Sequence, residues 1–327
     1  MVLPFDINNI FSVNAANFNH LSLSIFHWQY QHNKIYQQWV DLLGVHLNDV
    51  KIPQSIPALP ISFFKDYDVV TGNLPPKIVF ESSGTTGMVT SRHGLVDEQL
   101  YEKSFLEGFQ NQYGALEGWC VIALLPAYLE RQHSSLVYMA NCMIAQTGHP
   151  NSGFYLYNYA ELARTIEALE AKGQKTLLLG VTFALLDFSA QFPMKLNHTI
   201  VMETGGMKGR GKELTRLELH ETLSSRLGLS AVHGEYGMTE LLSQAYSKGD
   251  GKYQCPPWMK VYVKKEDDPF ELSETGTGLI QVIDLANIYS CAFIATQDIG
   301  RVYEDGSFEV LGRMDHADVR GCSLLVL

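Results

Sequence analysis

Trp119-Cys120-Val121-Ile122-Ala123-Leu124-Leu125 is a short, unbroken apolar run. Similar runs recur at residues 78–80, 176–179 and 199–202, and segments with helical spacing lie between them. Strands that are covered by helices on both faces have this pattern, because neither face needs polar residues. The sequence therefore predicts an α/β fold with largely parallel sheets flanked by helices.

The segments around these runs complete the predicted organisation. Helices are predicted at residues 17–44, 134–146, 160–172, 182–191 and 212–227. Prolines within residues 52–76 predict an extended connector, and an Asp305-Gly306 turn predicts a hairpin. We divide the chain into an α/β region, 1–254, with a helical N-terminal segment, and a smaller β-rich subdomain, 255–327, which ends in a short tail with Cys322.

The composition excludes several classes of protein. The chain has 327 residues, 46% of them hydrophobic, and its 24 basic and 35 acidic residues give a net charge of −11. This charge argues against a nucleic-acid partner, which requires a basic surface. No apolar stretch reaches the roughly 18 residues that span a bilayer. Without a signal peptide and with 5 scattered cysteines, we expect a cytoplasmic protein with reduced thiols, and the oligomeric state stays open.

The first polar stretch that follows an apolar run is Glu81-Ser82-Ser83-Gly84-Thr85-Thr86-Gly87. Glycines let the backbone approach an anion, and N–H and hydroxyl groups donate hydrogen bonds to phosphate oxygens. The stretch therefore predicts a triphosphate-binding loop. An ordinary loop from a strand to a helix explains the same residues equally well.

Gly234-Glu235-Tyr236-Gly237-Met238-Thr239-Glu240 is a second such stretch. Tyr236 offers an aromatic face to a purine, and Thr239 offers a donor to the α-phosphate. Glu240 offers a ligand to Mg²⁺, which takes one or two carboxylates together with phosphate oxygens. The structural alternative is a capped helix that begins at Thr239-Glu240.

Two further stretches lie in the C-terminal region, Thr296-Gln297-Asp298-Ile299-Gly300-Arg301 and Gly312-Arg313-Met314-Asp315. The carboxylate of Asp298 can accept hydrogen bonds from both hydroxyls of a ribose. Arg313 can reach the ribose or the phosphates. A turn residue and a surface salt bridge are the respective structural alternatives.

Together and in this order, the stretches resemble the adenylate-forming superfamily over residues 79–321. The resemblance implies the N-terminal domain of such an enzyme, with ATP and Mg²⁺ as its cofactors. It implies that the first loop wraps the β- and γ-phosphates, that Glu240 is catalytic and binds the metal, and that Asp298 binds the ribose. The residues that it places in the nucleotide site are Ser82, Ser83, Gly84, Thr85, Thr86, Gly87, Gly205, Gly206, Tyr236, Gly237, Thr239, Asp298 and Arg313.

Two features depart from the superfamily pattern. Position 90 is Thr where the family has Lys or Arg, although Arg92 follows two residues later. The chain also stops where the mobile C-terminal domain of the family, which carries an assisting lysine, would begin. We therefore expect that domain to be absent or vestigial.

A narrower resemblance rests on residues 125–131, residues 134–139 and Arg320-Gly321-Cys322-Ser323-Leu324. These stretches are similar to the acyl-protein synthetase (LuxE) family, the synthetase component of a bacterial fatty-acid reductase. The resemblance implies that the chain activates a fatty or other carboxylic acid as acyl-AMP, transfers the acyl group to Cys322 and delivers it to a reductase or another acceptor protein. A thiolate attacks such a mixed anhydride readily. Spacing alone favours Cys322 as a small packed hydrophobe.

Three other activities fit the same motifs. One is a ligase that passes the acyl group to coenzyme A or to a carrier protein without using Cys322. Another is a non-catalytic subunit that binds nucleotide or acyl-AMP. The last is an acyltransferase that takes its acyl group from acyl-CoA without ATP.

Overall fold

The computed structural model of the chain describes residues 3–82, 90–126, 133–205, 214–264 and 272–314. The chain divides into two compact units, of which one comprises residues 75–256 and the other comprises the described residues on either side. The sequence-based division at residue 254 lies close to one boundary. It differs from the structure in assigning residues 1–74 to the α/β region, whereas they belong with the C-terminal strands.

The helices in the described part of the chain are α1 (Asn8–Phe11), α2 (Phe18–His32), α3 (Lys34–Leu42), α4 (Phe63–Asp66), α5 (Glu98–Tyr113), α6 (Ser135–Thr147), α7 (Tyr159–Ala171), α8 (Thr182–Gln191) and α9 (Arg216–Leu227), with single 3₁₀ turns at Leu47–Asp49 and Pro53–Ser55. The strands are β1 (Leu59–Pro60), β2 (Ile78–Glu81), β3 (Arg92–Leu95), β4 (Cys120–Leu124), β5 (Gly153–Tyr155), β6 (Thr176–Gly180), β7 (Thr199–Thr204), β8 (His233–Tyr236), β9 (Ala245–Ser247), β10 (Met259–Lys264), β11 (Leu272–Ser273), β12 (Gly276–Asp284), β13 (Phe293–Val302) and β14 (Phe308–Arg313). None of the helices described is long and apolar enough to cross a bilayer.

The unit of residues 75–256 is built on a sheet with the strand order β5-β4-β6-β7-β8-β9. Its strands run parallel from β5 to β8, and only β9 is antiparallel to its neighbour. Every residue of β4 and β6 is buried, as their continuous apolar runs predicted. Helix α6 packs on β4 and α8 packs on β7. The predicted α/β class with a largely parallel sheet is therefore confirmed.

Local polar side chains explain where the helices differ from the prediction. The helix expected at 17–44 is two helices, because the Asn33 side chain accepts a hydrogen bond from the Tyr36 N–H at 3.0 Å and starts α3. The helix expected from 212 begins at Arg216, where Thr215 and Glu218 form a reciprocal capping box. Helix α5 was not predicted, although Asp97 caps it through the N–H groups of Gln99 and Leu100.

The other unit contains a second sheet with the order β1-β13-β12-β10-β11, and β14 pairs with β13. All its pairs are antiparallel except that of β1 with β13. This sheet matches the predicted β-rich character of the C-terminal region. The predicted hairpin is present, but its first strand is the ten-residue β13.

Gln29 shows why the N-terminal helices belong to this unit. Its side chain on α2 is fully buried, and its amide donates to the carbonyl oxygens of Asn287 and Ile288 at 3.0 and 2.9 Å. Its Oε1 accepts from the Ala292 N–H at 3.0 Å. The backbone of the connection between β12 and β13 is thus hydrogen-bonded to a side chain of α2. Gln29 and Ala292 are 263 residues apart in the sequence.

In the unit of residues 75–256, which we call the α/β unit, Glu170 joins the end of α7 to the start of β7. Its carboxylate accepts hydrogen bonds from the N–H groups of Asn197 and His198, at 2.8 and 3.0 Å, and from the Thr199 hydroxyl at 2.6 Å. Burial raises the pKa of Glu170, but the hydrogen bonds from Thr199, Asn197 and His198 outweigh it, so that the pKa is lowered overall. The ionised form is therefore the one that stabilises this junction.

We expect Glu170→Gln to lower the free energy of unfolding at pH 7 by about 1–2 kcal/mol, because charge-assisted hydrogen bonds are lost. A lowered folded pKa gives stabilisation that is present above the unfolded value, about 4.3, and is lost as the pH falls through the folded value. Urea titrations should therefore show the wild type and the variant converging in acid.

Glu167→Gln, at an exposed position on the same helix, is the matched control and should change little at either pH. A Glu170→Gln protein with wild-type stability at pH 7, or a difference that persists unchanged at low pH, would contradict this account of the junction.

Candidate functional site

The first polar stretch leaves β2 and returns through β3, so it joins two antiparallel strands. Residues 83–89 between these strands lie outside the described part of the chain, so the alternative of a loop from a strand to a helix stays a prediction. Ser82 and Ser91 close its base: the Ser82 N–H donates to the Ser91 carbonyl at 3.0 Å, and the Ser91 N–H donates to Ser82 Oγ at 2.9 Å. Ser83, Gly84, Thr85, Thr86 and Gly87 lie outside the described residues.

The second polar stretch begins on β8 and continues into a turn. Tyr236 ends the strand, and residues 237–240 follow it without forming a helix. The alternative of a capped helix at Thr239-Glu240 is therefore wrong. Within the turn, the Leu241 N–H donates to the Met238 carbonyl at 3.1 Å. Glu240 is buried, with 4% of its surface exposed.

Tyr236 is oriented by a second tyrosine. Its ring packs against that of Tyr253, with the centroids 5.9 Å apart and the planes at 56°. Tyr253 is buried, and the Arg216 guanidinium lies 5.2 Å from its ring centroid. A tilted aromatic pair with a buried partner limits the positions that the Tyr236 ring can adopt.

Glu235, between Gly234 and Tyr236, is a buried carboxyl at the end of β8. The Thr204 hydroxyl, at the end of β7, donates a hydrogen bond to its Oε2. The pKa of Glu235 is raised to about 7. Burial is the largest cause and the neighbouring Glu203 adds to it, while the hydrogen bond from Thr204 acts in the opposite direction. The carboxyl therefore exchanges its proton near neutral pH while it holds the two strand ends together.

Close packing explains why two positions of the second stretch are glycine. A Cβ on Gly237 would overlap Oε1 of Glu235 and lie 3.3 Å from Cγ of Gln244. A Cβ on Gly234 would lie 2.8 Å from the Tyr253 hydroxyl oxygen. Gly237 was assigned to the nucleotide site from the motif, but its absent side chain is already required by the buried Glu235.

Gly205 follows β7 with φ +71°, a conformation that favours glycine. Its carbonyl accepts a hydrogen bond at 2.7 Å from the hydroxyl of Thr182, the first residue of α8. Parallel strands end at the same edge of a sheet, so Gly205, which follows β7, and Tyr236, which ends β8, both lie at that edge. Gly206 lies outside the described residues.

Asp298 and Arg313 are cross-strand neighbours in the other unit. Asp298 lies within β13 and pairs with Arg313 of β14, so the turn alternative for Asp298 is wrong. The Nε of Arg313 is 4.0 Å from the Asp298 carboxylate, and the arginine and aspartate side chains are 65% and 17% exposed. Because the arginine is largely exposed, the pair matches the surface salt bridge considered for Arg313 and contributes little energy. The structure thus brings together two residues that were assigned to one nucleotide site.

Sequence reasoning gave His93 no role, yet it connects the first two stretches. It lies on β3, opposite Phe80 of β2, and is 1% exposed. Its Nδ1 is 2.7 Å from the carbonyl oxygen of Thr239. The only signal in the sequence was its place shortly after the glycine loop.

No family model and no curated protein matches the sequence. Among solved structures, an open conformation of 2-hydroxyisobutyryl-CoA ligase in complex with 2-HIB-AMP and CoA aligns with 97% of this chain and 80% of its own, at 11% identity and a TM-score of 0.62. A long-chain-fatty-acid-CoA ligase from Archaeoglobus fulgidus aligns with 76% of this chain and 53% of its own, at 13% identity and a TM-score of 0.50.

The O-succinylbenzoate coenzyme A synthetase from Bacillus subtilis, in complex with AMP, aligns with 73% of this chain at 16% identity and a TM-score of 0.49. The chain spans 49% of that synthetase, about half its length. The structural neighbours are adenylate-forming enzymes, as the order of the motifs predicted, and the chain shares their fold. The narrower likeness to acyl-protein synthetases stays a prediction.

The raised pKa of Glu235 gives a test of the strand junction. Between the unfolded value of about 4.3 and the folded value of about 7, the folded state holds a proton that the unfolded state has released. Stability should therefore fall as the pH rises through this window, by roughly 2–4 kcal/mol. Glu235→Gln should lack this dependence and gain stability relative to the wild type between pH 4.5 and pH 8, in urea titrations.

Glu117→Gln, at an exposed position in the same unit, is the control and should follow the wild-type profile. If wild-type and Glu235→Gln profiles run parallel over this range, the carboxyl does not change protonation there.

Proposed function

We propose that the chain uses ATP to activate a carboxylic acid as acyl-AMP. The observation that carries this proposal is the fold, which is shared over 97% of the chain with a ligase bound to an acyl adenylate. Two polar stretches support it, because the described parts of both lie at strand ends, at Ser82 and at Tyr236–Glu240. A fatty acid is the substrate that we infer from the narrower sequence resemblance.

In the proposed reaction, the Tyr236 ring stacks on the adenine and the Thr239 hydroxyl donates to the α-phosphate. Gly205, which follows β7, and Gly206 line the same nucleotide. Residues Ser82 to Gly87 bind the leaving phosphates. The sequence resemblance assigns the ribose hydroxyls to Asp298 and a further nucleotide contact to Arg313. These side chains act by positioning the reactants and by neutralising charge, which suits in-line attack of the carboxylate on the α-phosphorus.

Glu240 is the residue that would hold Mg²⁺. Groups of three His, Cys, Asp or Glu side chains that would bind a metal on their own are absent from the described ranges. A single buried carboxylate nevertheless fits Mg²⁺, which keeps most of its ligands as phosphate oxygens and water. When bound, the ion would neutralise charge on the phosphates of ATP. The buried position of Glu240 would give its carboxylate one fixed orientation.

We propose that the acyl group then moves to Cys322, which lies outside the described residues. The thiolate sulfur attacks the acyl carbon, and the bond from that carbon to the AMP oxygen breaks. AMP leaves with the electron pair, and the thiol proton passes to solvent. The resulting thioester would be delivered to a reductase or to another acceptor protein. The four described cysteines include Cys142, for which burial and the nearby Glu102 raise the pKa to about 11, so it is a poor nucleophile at neutral pH.

Acid-dependent exchange of pyrophosphate into ATP tests the first step. We expect the wild type to catalyse exchange with fatty acids, and Glu240→Gln to reduce it about 100-fold, because the ligand for the metal is lost. Glu117→Gln serves as the control and should exchange normally. A wild type without exchange would favour the non-catalytic subunit or the ATP-independent acyltransferase.

Radiolabelled fatty acid and ATP test the second step. The wild type should yield a labelled protein band that neutral hydroxylamine removes, and Cys322→Ser should yield none while it retains pyrophosphate exchange. Cys291→Ser is the matched control, because Cys291 is fully buried and burial raises the pKa of its thiol to about 12. Full thioester formation by Cys322→Ser with added coenzyme A would favour the ligase that does not use Cys322. Label from acyl-CoA without ATP would favour the acyltransferase.

A further inference from the structure

In the hydrogen bond between His93 and Thr239, the chemistry of the two groups identifies the donor and the acceptor. A carbonyl oxygen only accepts hydrogen bonds, so Nδ1 of His93 carries a proton and donates across the 2.7 Å to Thr239. The ring is 1% exposed, so water does not compete for this contact. A neutral His93 is therefore the Nδ1–H tautomer.

On one side of this contact is the base of the first loop. His93 pairs with Phe80 across the β2–β3 hairpin. Ser82 and Ser91, just beyond the ends of β2 and β3 that face the loop, make two hydrogen bonds with each other, of 3.0 and 2.9 Å. The Glu81 N–H donates to the His133 carbonyl at 2.8 Å. The hairpin thus gives His93 a support whose backbone is itself hydrogen-bonded.

On the other side is the peptide that joins Thr239 to Glu240. The Thr239 carbonyl belongs to this planar peptide, so fixing the oxygen fixes the plane and with it the start of Glu240. The turn is also restrained by the bond of 3.1 Å from the Leu241 N–H to the Met238 carbonyl. Glu240 follows with a buried side chain.

We propose that His93 is a positioning residue that holds Glu240 in the orientation needed for a divalent cation bound to a nucleoside triphosphate. The inference rests on the proposed function, because it assumes that Glu240 binds the cation. His93 touches neither nucleotide nor metal in this scheme. It acts through the Thr239–Glu240 peptide and transmits the position of the β2–β3 hairpin to the carboxylate.

Two conservative variants separate this role from general support of the fold. In His93→Asn the amide nitrogen lies near the place of Nδ1 and can still donate to Thr239. In His93→Gln it lies near the place of Nε2 and cannot. His93→Leu removes the donor altogether. His198→Gln, at an exposed histidine of the same unit, is the matched control.

The measurement is equilibrium binding of ATP by calorimetry, with Mg²⁺ titrated at fixed ATP and with EDTA in a parallel series. We expect His93→Gln and His93→Leu to raise the half-saturating Mg²⁺ concentration about tenfold, since a buried hydrogen bond that orients the ligand is lost. His93→Asn and His198→Gln should stay within about twofold of the wild type. Binding of ATP in EDTA should change less than about twofold in each folded variant.

Three results would overturn the inference. One is a half-saturating Mg²⁺ concentration that is the same for His93→Asn and His93→Gln. Another is a Mg²⁺ requirement for His93→Gln that equals that of the wild type. The last is an equal loss of ATP binding with Mg²⁺ and with EDTA, which marks general distortion. Circular dichroism establishes that each variant is folded, and the Asn and Gln pair decides the matter if His93→Leu does not fold.

The wild-type titration distinguishes failure of the inference from failure of the proposed function. Wild-type protein that binds no ATP in the presence of Mg²⁺ would overturn the proposed function and the inference with it. Wild-type protein that binds Mg²⁺ and ATP, together with His93 variants that bind them equally well, would overturn the inference alone.

Discussion

The parallel pairing of β7 with β8 is the constraint that fixes the positions of the polar residues at the ends of these two strands. Its register places Thr204 beside Glu235 and Glu203 beside Gly234. A shift of one residue would turn Glu235 to the opposite face of the sheet and separate it from the Thr204 hydroxyl. With the register as it is, both strand ends are held by one buried hydrogen bond, and the turns that follow them start from fixed positions.

The sequence predicted the parallel sheet because β4, β6 and β7 each contain a short apolar run, and the residues of these runs are largely buried. It did not predict β8, which reads His-Gly-Glu-Tyr and has no apolar periodicity. That strand is specified by contacts instead: Glu235 needs Thr204, and Gly234 leaves room for the Tyr253 hydroxyl. Such contacts join residues that are distant in sequence, so periodicity alone does not reveal them.

The same reasoning explains what was predicted of the candidate site. Motif order placed Asp298 and Arg313 in one functional group, and the pairing of β13 with β14 makes them neighbours. The sequence could not show that Asp298 lies within a strand, because Gln297-Asp298 beside Gly300 also suits a turn. His93 and Gln29 were missed for a common reason. Each makes its decisive hydrogen bonds to backbone carbonyl groups far along the chain, which carry no residue identity that a motif can record.

Gly237 has a consequence for how such chains are classified. The motif assigned it to the nucleotide site, yet the Glu235 carboxyl already occupies the space that a side chain would need. A related chain would keep glycine at this position for as long as it kept the glutamate and the strand pairing. In diverged homologues, persistence of that glycine therefore reflects an inherited architecture and is not by itself evidence of a bound nucleotide.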